Sequence, residues 1–84
     1  MYGINLIEVA RILGTVAISH GISSKHGLIC SIHQEIVKHC AQQDIAMVKV
    51  MMRMLATQNQ EVYDDMMKAL SENFSPEELK AILP

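Results

Sequence analysis

Residues 28–57 read LICSIHQEIVKHCAQQDIAMVKVMMRMLAT, and how this stretch divides decides the fold. No Gly or Pro falls between Leu28 and Asn73, so nothing in the backbone chemistry forbids one continuous helix. A helix unbroken from Ser24 to Thr57 would be about 50 Å long. A compact chain of this size has a radius of gyration of only about 12 Å. The mismatch places a break at Gln42–Gln43–Asp44, with Asp44 capping the helix that follows. The expectation is therefore an all-α, compact bundle of four to five short helices over residues 1–84, forming one helical domain.

On the far side of the break, Asp44 to about Ala56 carries only two charges, Lys49 and Arg53, one turn apart. Such a helix is apolar nearly all round. On the near side, a helix capped by Ser23 or Ser24 runs to about Gln42. Ile29, Ile32, Ile36 and Val37 form its apolar side, with Ser31, Gln34, Glu35, Lys38 and Gln42 opposite.

Further upstream, the sequence predicts a helix from about Ile4 to Ser19. Leu6, Val9, Leu13 and Val16 recur at the spacing of a buried helical face, and other aliphatic residues widen it. Gly14 in its middle costs about 1 kcal/mol relative to Ala, which suggests a close helix crossing there. Gly21 suits the left-handed position that ends this helix.

Downstream, Thr57 or Asn59 caps a helix from about Gln60 to Glu72, and Thr57 with Gln60 fits a capping box. Its inward face is Val62, Tyr63, Met66, Met67 and Leu70. Ser75, Pro76 and Glu78 then specify the start of a last short helix, Pro76 to Leu83, with Phe74 stapled onto Leu79.

The composition limits the functions open to such a fold. Half the residues are hydrophobic, but only three are aromatic against seven methionines, so the core is aliphatic and pliable. Net charge is −2, and the seven Lys and Arg are dispersed, which argues against nucleic-acid binding. The two cysteines, Cys30 and Cys40, fall on one helix, about 15 Å apart and too far to bridge. Reduced thiols and a cytoplasmic location follow as the default. The apolar run Ile4–Ile18 is interrupted by Glu8 and Arg11 and is too short for a bilayer. It lacks the basic flank of a signal peptide. No phosphate loop, nucleophile elbow or Cys-x-x-Cys pair is present, so catalysis finds no support.

Two patterns remain. His26, Cys30 and His33 are spaced by four and three, one stripe of a helix from which imidazole and thiolate could share a transition metal ion. The structural alternative is ordinary packing and surface histidines, with no cofactor at all. Met47, Met51 and Met54 also align, and suit either core filling, a soft metal ion such as Cu(I), or an adaptable groove for a partner.

An excess of apolar helix surface decides between these patterns. Two helices apolar nearly all round exceed what a short chain encloses, and a two-fold homodimer is the simplest cover. The expectation is a non-enzymatic regulatory or adaptor protein, a homodimer that binds another protein, with an inhibitor as one use of the same design. Its contact residues are expected to be Ile12 and Val16 with Met47, Met51 and Met54. Metal binding at His26, Cys30 and His33 is the alternative.

Overall fold

A computed structural model describes residues 4–83. Five α-helices follow one another: α1 (Leu6–Ser19), α2 (Leu28–Ala41), α3 (Ile45–Gln58), α4 (Gln60–Ser71) and the short α5 (Pro76–Leu79). A 3₁₀ turn, Ser24–His26, lies between α1 and α2. α1 and α3 each pack against both α2 and α4, so the four long helices surround one core, and α5 closes against α4. The radius of gyration is 11.6 Å. No helix among the described residues is long and apolar enough to cross a membrane.

The break that decides the architecture is where the sequence places it. Gln42 ends α2, and Gln43 takes φ 60°, a left-handed conformation usually left to Gly or Asn. That single turn lets the Gln43 N–H donate to the Cys40 carbonyl (3.1 Å) and the Asp44 N–H to that of His39 (2.9 Å). The paired bonds satisfy carbonyls that α2 would otherwise leave open. Asp44 then accepts from the Met47 N–H at 3.2 Å and starts α3. The same double closure ends α1. Gly21 has φ 66°, its N–H donates to Ile18, and the Ile22 N–H donates to Ala17.

Four expectations are corrected. The helix expected from Ser24 begins only at Leu28, because Gly27 has φ 51° and ψ −112° and separates it from the 3₁₀ turn. Asn59 alone joins α3 to α4: its N–H closes on Leu55, and its side chain accepts from the Val62 N–H. Thr57 instead donates its hydroxyl back to the Arg53 carbonyl, so it is not the cap. The last helix stops at Leu79 rather than Leu83, tightening into bonds from Ala81 to Glu78 and from Ile82 to Leu79. The capping box of Ser75 and Glu78 forms as expected. Finally, Gly14 is not at a crossing, since a Cβ added there would meet nothing within 4 Å.

The core is aliphatic and thioether, as the composition implies. Leu13, Ile32, Ile36, Met52, Leu55, Met66, Leu70 and Ile82 are its largest fully buried side chains. Cys40 is fully enclosed among them, and burial pushes its thiol up to about 11. A thiol so protonated and so covered behaves as a small hydrophobe.

Candidate functional site

The apolar excess seen in the sequence divides sharply once the helices have an orientation. Ile12, Val16 and Met51, expected as partner contacts, turn into the chain's own core. Met47 is half-buried against that core, and Met54 is 42% exposed. Three of the five are thus committed to internal packing. The physical reason is that α1 and α3 each touch two neighbours, so a wide arc of each is needed inside.

What remains outside is a set the sequence did not single out. Ile7 and Ile18 are 68% and 81% exposed on α1, Leu28 is 51% exposed at the start of α2, and Val50 is 44% exposed on α3. Residues 7, 11, 14 and 18 recur at helical spacing, so Ile7, Arg11, Gly14 and Ile18 form one outward stripe. Open Gly14 leaves the backbone bare between the two isoleucines. Arg11 is held by Glu8 through its guanidinium, and the pairing lowers the Glu8 carboxyl and raises Arg11. The stripe is therefore apolar at its ends, flat in its middle and locally neutral.

On α3, positions 46, 50, 53 and 57 recur in the same way, placing Ala46, Val50, Arg53 and Thr57 outward. Lys49 flanks this row beside Arg53, and Met54 flanks it beside Val50. Neither Lys49 nor Arg53 has an ion pair or a side-chain hydrogen bond with a described residue. α3 has no acidic residue of its own. One edge of the face is thus cationic and the other is aliphatic and thioether. Because α1 and α3 share α2 and α4 as neighbours, the two outward faces are separate surfaces.

The metal stripe does not assemble. Gly27 takes His26 off the helical register, and its Nδ1 accepts the Ser23 N–H at 3.0 Å. Cys30 stays on α2, where its sulfur accepts from the Gln34 amide at 3.5 Å. His33 turns inward, and its Nε2 is buried without a hydrogen-bond partner among the described residues. Among the described residues no three His, Cys, Asp or Glu side chains converge as a ligand set.

Burial lowers the His33 imidazole below its ordinary value, with the Leu13 backbone acting in the opposite sense. The unfolded chain therefore binds a proton more readily than the native one. Stability tied to His33 is present above the unfolded value of 6.5 and is lost as pH falls below it. Thermal melts between neutral and mildly acidic pH should show the loss in the native protein and a shallower one in His33→Gln. Equal slopes would remove His33 as the cause.

Two other histidines form contacts that the sequence analysis did not single out. His20 Nε2 lies 2.7 Å from Asp65 Oδ2, tying the end of α1 to α4 across 45 residues. The pair edges an open groove of about 260 Å³, with Thr15, Ser19, Lys68 and Glu72 on its walls. The Thr15 hydroxyl already donates to the Arg11 carbonyl. At the α2–α3 corner, His39 Nε2 is 3.4 Å from Glu35 and its Nδ1 is 4.0 Å from Asp44. That Nδ1 is buried without a hydrogen bond among the described residues. The His20–Asp65 and His39–Asp44 contacts join residues through tertiary folding or a non-helical turn, which no spacing rule reads, whereas His39–Glu35 is an i,i+4 pair within α2.

No protein-family model, curated protein or solved structure matches this chain.

Proposed function

We propose that this chain is a non-enzymatic regulatory or adaptor protein that acts by binding proteins through its outward helix faces, and that it self-associates through α1. The observation that carries the reading is the exposure of Ile7 and Ile18 on one stripe of α1. An isoleucine gains roughly 1.5–3 kcal/mol when fully removed from water, so two on one face favour a covering surface.

A second copy fits the α1 stripe for a geometric reason. In an antiparallel two-fold pairing, Ile7 of one protomer meets Ile18 of the other. Arg11 then lies over the bare backbone at Gly14, where no Cβ stands in the way. The contact residues of this reading are Ile7, Arg11, Gly14 and Ile18, with Met54 retained for the second face on α3. Two free cysteines, one of them fully buried, fit a reducing compartment such as the cytoplasm.

Native mass spectrometry and sedimentation of the purified chain test self-association. A dimer is expected, and Ile7→Glu with Ile18→Glu should weaken it by more than about a hundredfold, since each buried isoleucine becomes a charge that must stay hydrated. A native chain that is monomeric at every concentration would overturn self-association through α1.

A further inference from the structure

The second outward face has a chemistry of its own. On α3, Val50 and Met54 are exposed beside half-buried Met47, and Lys49 and Arg53, unpaired among the described residues, border the same face. Ala46 and Thr57 keep the row between them low. We propose that this face binds an amphipathic helix of another protein, one whose aliphatic face is bordered by carboxylates. The proposal rests on the reading of the chain as a protein-binding module and names the partner's chemistry.

Charge complementarity selects that occupant. Two cations with no acid on their own helix and no described partner offer charge-assisted hydrogen bonds to carboxylates. The row from Ala46 to Thr57 runs along about three helical turns, the length over which a docked helix presents anchors at i, i+3, i+4 and i+7. Methionine, unbranched and flexible, suits a contact that must adapt to a separate chain.

A second copy of this chain is the wrong occupant. The exposed acids of α4, Glu61, Asp64 and Asp65, with Glu72 at its C-terminal cap, lie beside large hydrophobics that are buried or half-buried. The exposed isoleucines of α1 share their helix with one acid, Glu8, which Arg11 holds, and exposed Leu28 of α2 shares its helix with one acid, Glu35, which Lys38 and His39 hold. No described helix combines an unpaired carboxylate with an exposed aliphatic side chain, so the complement of α3 comes from elsewhere.

Two synthetic amphipathic peptides with the same leucine face test this, one edged with Glu and the other with Lys. Fluorescence anisotropy should show the Glu-edged peptide bound at least about tenfold more tightly, with a preference that fades as salt rises. The double variant Lys49→Glu with Arg53→Glu should reverse the preference while its circular dichroism stays native. Equal affinity for the two peptides, no binding of either, or an unchanged preference in the double variant would each overturn the proposal. Tighter binding to phosphatidylserine vesicles than to the Glu-edged peptide would also overturn it, in favour of a membrane surface.

The Ile7→Glu, Ile18→Glu chain separates this proposal from the reading beneath it. If it alone loses the peptide, the binding face is α1: the assignment to α3 fails and the protein-binding reading survives. If no peptide binds and the native chain is also monomeric, both fail.

Discussion

Ile12→Ala is expected to destabilise the fold by about 3 kcal/mol, while Ile18→Ala changes it by less than about 0.5 kcal/mol. Both residues lie in the same apolar helix and, in the sequence, look interchangeable. Ile12 is 5% exposed within the core, so truncation removes buried methylenes and leaves a cavity that its neighbours fill only in part. Ile18 projects into solvent, where the loss of its side chain leaves no void. In a chain of this size, 3 kcal/mol lowers the melting temperature by roughly 12–24 °C. Circular dichroism melts, recorded at dilutions where chains do not associate, read the difference directly. A stable Ile12→Ala with an unstable Ile18→Ala would mean that α1 presents its other side to the core.

Position 43 should respond in opposite directions to two substitutions. Gln43→Gly is expected to stabilise the fold by about 1 kcal/mol, because glycine enters the left-handed region without the steric cost that a Cβ carries. Part of the gain is offset by the greater freedom of glycine in the unfolded chain. Gln43→Pro should cost about 3 kcal/mol or more. Proline holds φ near −65°, whereas this turn has φ 60°. Proline also lacks the N–H that closes on the Cys40 carbonyl. Denaturant titrations of the three chains check the order Gly, Gln, Pro. If Pro were tolerated, the left-handed turn between α2 and α3 could not be the one described.

The histidines show why part of the candidate site could be read in advance and part could not. Spacing put His26, Cys30 and His33 on one stripe, and that inference needed an unbroken helix through all three. Gly27 takes a backbone conformation open to glycine alone, and a single residue of that kind changes the direction of everything before it. The His20–Asp65 contact had no sequence signal, because residues 45 apart meet only through the packing of α1 on α4.

The sequence by itself determined the helices and most of their ends. Capping at Asp44 and Ser75, the left-handed close at Gly21 and the inward face of α4 are interactions among residues a few positions apart. Local chemistry of this kind survives whatever the rest of the chain does. It also located the break between α2 and α3, since an unbroken rod would leave its apolar surface in water. Only the tertiary structure decided which aliphatic residues face out. On a helix apolar nearly all round, periodicity marks the centre of the buried face, as it did at Leu6, Val9 and Leu13, but not the width of the buried arc, which is set by where neighbouring helices lie. That packing turned Ile12, Val16 and Met51 inward and left Ile7, Ile18, Val50 and Met54 facing solvent.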